Sequence, residues 1–286
     1  MLNFSKKQEQ TIIRAVKIAV IVLLCAVMLG LAAPIYLVII RAFMPPQDLF
    51  PMKVFPSELF FGSFAELFSG AGENGIPFSR NFFTTLLVSV ITAAIQIPIT
   101  AGAAYVFTKT TAPGAKAMGK VMELALILTP VSIYVPQYIF MMHIGLSNRL
   151  FGMILPFIAS PLAVFLMMKG MKGIPNEIVD CARLDGASHF RICFGIVMPN
   201  IKSAWISVLL ITLGSLWTYS GELIAVRVEL KPLGAMLPRF SADENTAGLF
   251  CALATVMCIP MIAAAILCRK PLSKAVEMSG VKSSET

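Results

Sequence analysis

Apolar residues in this chain come in blocks long enough to cross a lipid bilayer, and no other feature limits its fold as much. Six runs stand out, at 17–40, 82–107, 121–142, 151–168, 204–224 and 247–267. A helix needs about twenty apolar residues to cross the hydrocarbon core of a membrane. The chain is 57% hydrophobic and 13% charged, against the ~25% charge usual in soluble domains. The expected fold is an all-α membrane protein with six transmembrane helices.

The net charge of +8 is a topological signal rather than a nucleic-acid footprint. Numbering the polar segments alternately gives two sets, with charged residues at the span ends counted in each. The N-terminal tail, 108–120, 169–202 and the C-terminal tail together hold 16 Lys+Arg and 7 Asp+Glu. The other set, 41–80, 143–150 and 225–245, holds 7 and 8. Cytoplasmic loops carry the Lys/Arg excess, so both termini and the 169–202 loop are expected inside. Lys6, Lys7, Arg14 and Lys17 before the first apolar core resemble the start of a signal peptide. The apolar stretch continues through Ile40 and Pro34 would follow the cut, so an uncleaved first helix is expected.

Between the first two runs, 42–80 is rich in Pro, Gly and Phe. It reads as an irregular cap with a short helix near 63–68 and a turn-rich loop from Ser69 to Gly75. Pro130 and Pro136 stand inside the 121–142 run and are expected to kink it. The mixed-charge segment from Glu222 to Glu244, with Arg227, Glu229, Lys231, Arg239 and Asp243, reads as a solvated outer loop. All six Cys fall in apolar runs or in inward segments, so free thiols are expected. His143 and His189 stand apart from each other, and no metal site is expected.

The loop at 169–202 has the richest local grammar. Pro175 suits a first helical turn, where its missing N–H costs nothing. Glu177 and Asp180 follow where the helix dipole favours acids. Asp180 and Arg183 are three apart and can pair. Ile178, Cys181, Ala182 and Leu184 supply an apolar patch with small residues at its centre. Gly186 comes where the helix should end, in the left-handed position that glycine occupies cheaply. Ser188 can cap a second helix, expected at 188–198 and closed by Pro199. The result is a short helix, a sharp bend and a second helix.

The spacing within this loop resembles the EAA loop of ATP-binding cassette (ABC) importer permeases. Asp180-Cys181-Ala182, three residues, Gly186, nine residues, then Ile196, Met198 and Pro199 match Glu-Ala-Ala, three residues, Gly, nine residues, Ile-x-Leu-Pro. Arg183, Asp185, Ala187 and Ser188 extend the match in a run similar to "ARxDGAS". Asp180, Cys181 and Met198 depart from the pattern with residues of similar size or charge. Six runs, with this loop between the fourth and fifth, are similar to the smaller partner of the maltose-type pair. Trp217 sits where that branch tends to have Trp-Asn, although Thr218 replaces the Asn. The tail ending Gly280-Val281-Lys282 is similar to the branch's terminal Gly-Ala-Val-Lys-Gly.

This resemblance implies a type I ABC importer permease fold in the bacterial cytoplasmic membrane. It implies a second, different permease subunit, two ATPase subunits and an extracytoplasmic solute-binding protein as partners. Glu177, Asp180, Cys181, Ala182, Arg183, Asp185, Gly186, Ala187, Ser188 and Pro199 would engage the ATPase. ATP and Mg²⁺ would sit on that ATPase, with no cofactor and no catalytic residue on this chain. The cargo it implies is a sugar or oligosaccharide. Sugars are held by stacking and polar groups, so Trp217, Tyr219, Tyr134, Gln137 and Tyr138 are candidates along the outer half of the path. Aromatic residues also mark membrane interfaces, and Gln96 reads as a tie between helices.

A nucleotide-binding decoy is present. Gly114 to Lys120 fits G-x-x-x-x-G-K, but Val121 stands where Mg²⁺ coordination needs Ser or Thr. The alternative reading is a secondary transporter or channel. It would call for ionisable groups within the spans, and only Glu123 and Arg41 stand near span ends. An intramembrane enzyme would need HExxH, paired aspartates or GxSxG in a span, and none occurs.

Overall fold

A computed structural model describes residues 6–49, 53, 55–69, 77–128, 130–221, 230–240 and 246–283, giving backbone alone for 6–13, 15, 130–131, 239 and 270–283. The helices are α1 (Lys6–Arg41), α2 (Pro46–Leu49), α3 (Gly62–Ser69), α4 (Phe78–Lys109), α5 (Ala115–Ala125), α6 (Pro130–His143), α7 (Leu150–Ile158), α8 (Pro161–Lys172), α9 (Asn176–Leu184), α10 (His189–Arg191), α11 (Met198–Asn200), α12 (Lys202–Trp217), α13 (Leu237–Phe240) and α14 (Ala247–Ser283). Among the described residues three helices are long and apolar enough to cross a membrane: Val16–Arg41, Phe78–Lys109 and Ala247–Arg269. Two bent pairs qualify if each pair counts as one span: α7 with α8, bent by 41°, and His189–Asn200 with α12, bent by 84°.

Three of the six runs are divided or shortened. The run at 121–142 is two helices, α5 and α6. Leu126, Ile127 and Leu128 donate backbone N–H groups three residues back, which tightens the last turn of α5. Pro130 begins α6 instead of kinking a helix interior, because a first-turn proline forfeits no hydrogen bond. Pro136 remains inside α6. The run at 151–168 breaks at Ala159 (φ −96°, ψ 55°). Ser160 Oγ then accepts from Ala163 N at 3.4 Å, and Pro161 opens α8. The run at 204–224 is helical only to Trp217, and left-handed Gly221 (φ 63°) precedes residues 222–229, which lie outside the description. The expected cap helix at 63–68 is α3, while 70–76, Asp243 and Glu244 lie outside the described residues.

Contacts divide the chain into two units. One comprises residues 1–67 and 240–255. Its buried carboxylate, Asp48, accepts from Lys53 Nζ at 2.6 Å, from Ser57 N at 2.9 Å and from the Ser57 hydroxyl. These bonds hold its pKa down to about 2, the Lys53 bond first among them. Phe43 packs edge-on against Phe61 and receives the Phe60 N–H at its carbonyl. α1 is exposed from Val16 to Tyr36 and half-buried at Leu37, Val38 and Ile40.

The other unit, 68–239 and 256–286, is organised around α4, which packs on α7, α8 and α12. α4 buries a polar stripe of Asn81, Thr85, Ser89, Thr92, Gln96 and Thr100, spaced three or four apart and so on one face. Gln96 joins three helices. Its Nε2 donates to the Phe157 carbonyl of α7 at 2.7 Å, and its Oε1 accepts from Thr212 Oγ1 of α12 at 2.6 Å. α8 meets the start of α12 at Gly170, where a Cβ would come within 2.8 Å of the Ala204 Cβ.

Candidate functional site

The 174–200 segment folds as an elbow against the Lys109 end of α4. Pro175 occupies the cap position just before α9 rather than its first turn (φ −57°, ψ 142°). α9 ends in a Schellman closure: Ala187 N donates to Ala182 O and Gly186 N to Arg183 O, each at 3.0 Å, with Gly186 at φ 78°. Left-handed backbone costs a side-chain-bearing residue about 1–2 kcal/mol, so glycine suits this bend. Ser188 Oγ accepts from Arg191 N at 3.3 Å and caps the second arm. That arm was expected to close at Pro199. It instead runs through α10, a π-helical stretch at Ile192–Val197 and α11, and breaks at Ile201 (φ −106°, ψ 34°). Pro199 has no N–H to return four residues back, and the turn before it has opened to the wider register that often marks functional sites.

α9 sorts its side chains into two faces. Val179 and Ala182 are buried in a core shared with Ala101, Ala104 and Tyr105 of α4, Met167 and Met171 of α8, and Ile192, Cys193 and Val197 of the second arm. Glu177, Ile178, Asp180 and Cys181 are exposed, and Leu184 is 88% exposed. The expected apolar patch is therefore split: Ala182 seats the helix on its own chain, while Ile178, Cys181 and Leu184 face away. Asp185, Gly186, Ser188 and Pro199 are exposed, Ala187 is half-buried, and Phe190 extends the exposed apolar surface with its ring 4.6 Å from that of Phe194.

Polar ties hold the elbow to α4. Lys109 is 8% exposed, and its Nζ donates to the Ile174 carbonyl at 2.5 Å and to Asn176 Oδ1 at 2.8 Å. Arg183 reaches back, with Nη2 donating to the Lys109 carbonyl at 2.7 Å and Nη1 to Asp180 Oδ1 at 3.3 Å. Tyr105 Oη and His189 Nδ1 are hydrogen-bonded at 3.1 Å. The Cys193 thiol points at the Ala101 carbonyl, 3.9 Å away. Sequence reading missed Lys109, Tyr105 and Cys193 as members of this site. Lys109 registers there only as one more inward charge, and its partners lie 65 and more residues away. The expected Asp180–Arg183 pair is present, and Lys172 pairs with Glu123 of α5 at 3.4 Å.

The aromatic candidates gather only in part. Tyr134, Gln137 and Tyr138 are half-buried on one face of α6. Tyr219 sets its ring edge-on against Phe157 at 5.2 Å. Trp217 is buried, with its ring edge-on to Phe82 at 5.7 Å and no partner for its indole N–H among the described residues. An open apolar groove of 420 Å³ between α4 and α12, lined by side chains such as Ile97 and Leu213, borders none of the five. Gly114 of the nucleotide-like run is left-handed (φ 80°) and opens α5.

Residues 12–270 match the family described as the binding-protein-dependent transport system inner membrane component. The chain is 26% identical over 195 residues to the sn-glycerol-3-phosphate transport system permease protein UgpE of Pectobacterium atrosepticum, covering 67% of this chain and 69% of that one. It is 25% identical over 258 residues to the melibiose/raffinose/stachyose import permease protein MelC of Bacillus subtilis, covering 87% and 91%. Its fold is similar to a chain of a bacterial ABC transporter involved in the import of the acidic polysaccharide alginate, with a TM-score of 0.77, 18% identity and coverage of 94% and 99%. With the spans, the bent loop and these likenesses together, the chain belongs to the family of binding-protein-dependent transport system inner membrane components and is a multi-pass ABC transporter permease subunit, not itself an enzyme.

Proposed function

We propose that this permease forms half of the translocation path of an ATP-driven sugar or oligosaccharide importer in the bacterial cytoplasmic membrane. It pairs with a second, different permease and is driven by two ATPase subunits that bind ATP and Mg²⁺. A solute-binding protein delivers the cargo from outside, and both termini and the elbow face the cytosol. The names of the relatives, among them carriers of melibiose, raffinose and arabinooligosaccharides, support the cargo class.

The observation that carries the coupling role is the outward face of α9. Ile178, Cys181 and Leu184 stand exposed on a helix whose other face is buried and whose bend is locked. Three apolar side chains held in water on a rigid support favour insertion into a partner's groove. ATP-driven closure of the ATPase pair would shift α9, and the path would exchange its open side. Trp217, Tyr219, Tyr134, Gln137 and Tyr138 would line its outer half.

Gentle extraction of the tagged chain should bring down an ATPase and a second permease. A maleimide cross-linker on Cys181 should join the chain to that ATPase. Uptake of labelled oligosaccharide by the reconstituted assembly should require MgATP. The chain carrying solute alone in liposomes without ATP would establish the channel or secondary-transporter reading instead.

A further inference from the structure

We propose that α4 is the element that receives the displacement of the coupling elbow, and that Lys109 is the clasp between them. The inference rests on the coupling role proposed above and adds the route inward. The elbow has covalent continuations at both ends, and both are irregular. Towards α8 the chain passes through Gly173, Ile174 and Pro175, which are outside regular helix. Towards α12 it passes the break at Ile201 and turns by 84°. A push along either connection would be absorbed by backbone rotation.

The non-covalent ties to α4 have no such slack. Ala101, Tyr105 and Lys109 are four residues apart, so they line one edge of α4 over two turns. Each meets a different part of the elbow. Ala101 accepts from the thiol of Cys193 in the π-helical stretch, Tyr105 meets His189 at the start of the second arm, and Lys109 holds Ile174 and Asn176 at the start of α9. Arg183 closes the loop from the far end of α9 onto the Lys109 carbonyl. The same helices share one buried core. Both arms and the entry to α9 are thus bonded to a single straight edge.

Lys109 is the member whose loss would open the clasp. Its ammonium is buried and satisfies two acceptors, and removing the donor leaves the carbonyl of buried Ile174 without it, while Asn176 is itself exposed and can turn to water. An orphaned buried carbonyl costs more than the bond is worth net, so the entry to α9 would move away to find water. The lysine is a positioning residue, acting through Ile174 and Asn176.

The test uses the full chain in lipid nanodiscs. Spin labels go on native Cys181 and on an introduced Leu87→Cys, with Cys25, Cys258 and Cys268 replaced by alanine and the buried Cys193 and Cys251 kept. Leu87 is exposed on α4 and about 33 Å from Lys109 along the helix axis. The parent should give one narrow distance distribution. Lys109→Met should broaden or split it, Lys109→Arg should restore it, and Asn176→Leu should broaden it less. In the assembled transporter Lys109→Met should lose at least tenfold in oligosaccharide uptake while MgATP hydrolysis and ATPase association persist. A narrow distribution in Lys109→Met, or full uptake by that variant, would overturn the clasp. Because the distance measurement needs no partner, it can fail while the ATPase still binds the elbow, and it can succeed if no ATPase binds.

Discussion

The two ends of α4 treat their polar groups in opposite ways. At the Lys109 end the ties are made but for Arg183 Nε: the ammonium has two acceptors, Tyr105 has His189, and the last carbonyl receives Arg183 Nη2. Toward the Phe78 end, Asn81 Oδ1, Ser89 Oγ, Thr92 Oγ1 and the Trp217 indole N–H are buried without partners among the described residues. Gln96 divides the two regimes, with both ends of its amide bonded. Buried polar groups normally find partners, and a group that does not needs an explanation. Satisfied groups specify one arrangement, which a lever needs. Unsatisfied groups leave room for another partner such as water or a cargo hydroxyl, which a passage needs.

The largest effect should come from the satisfied end. Gly186→Val places a β-branched residue at φ 78°, where no neighbour crowds its Cβ but the backbone is strained. The loss of the Schellman closure should cost about 1–2 kcal/mol locally, and ~1.4 kcal/mol corresponds to tenfold in an equilibrium. Uptake should fall at least tenfold with insertion into the membrane unchanged, measured by transport in whole cells and by membrane fractionation. Normal uptake would mean that the bend does not need its geometry.

Gln96→Leu should follow. It removes the donor to the Phe157 carbonyl and the acceptor for Thr212. Interhelical hydrogen bonds in membranes average about 0.6 kcal/mol, so the pair should be worth about 1 kcal/mol. Thermal inactivation in detergent should shift down by several degrees. An unchanged midpoint would move the boundary between the two regimes toward Lys109.

Sequence patterning conveys half of this contrast. The long runs of α1, α4 and α14 are plain in composition, because a bilayer selects apolar residues over a fixed length. The elbow is legible because its determinants are local: Gly186 for the left-handed turn, Ser188 for the cap, and Asp180 with Arg183 at one-turn spacing. Breaks within apolar runs are harder to read. Leu126 to Leu128 form a tight turn but are as apolar as any span. Ser160-Pro161 is a cap-and-start signal that marks the break between α7 and α8. The clasp stays hidden, since Lys109 and Arg183 meet across 74 residues of chain and no local pattern records that. Which members of the polar stripe on α4 are bonded depends likewise on α7 and α12.

Asp48 offers a third case, satisfied like the elbow yet local, with partners five and nine residues away. Its carboxyl is held at about 2, below its ordinary value of ~3.9. A lowered folded pKa stabilises above the unfolded value, and the contribution fades as pH falls toward the folded one. Melting of the purified chain should therefore not change through Asp48 between pH 7 and 5, and should decline between about pH 4 and 2. Asp48→Asn should remove that part of the acid dependence. Equal acid sensitivity in parent and variant would assign the decline to other carboxylates.

The smallest effect should be Ser89→Ala, and it is the sharpest test of the contrast. Ser89 is fully buried and its hydroxyl has no partner among the described residues, so the substitution deletes one polar atom and creates at most a small void. Removing an unpaired hydroxyl relieves its desolvation cost and can be neutral or stabilising, which offsets the lost packing. The midpoint of thermal inactivation should stay the same or rise. If Ser89→Ala instead destabilises as much as Gln96→Leu, the hydroxyl is bonded in the membrane, and the Phe78 end of α4 is as fully specified as the elbow. If stability holds while oligosaccharide uptake drops severalfold, the hydroxyl serves what passes by rather than the fold, and the unpaired groups from Asn81 to Thr92 become the next positions to substitute.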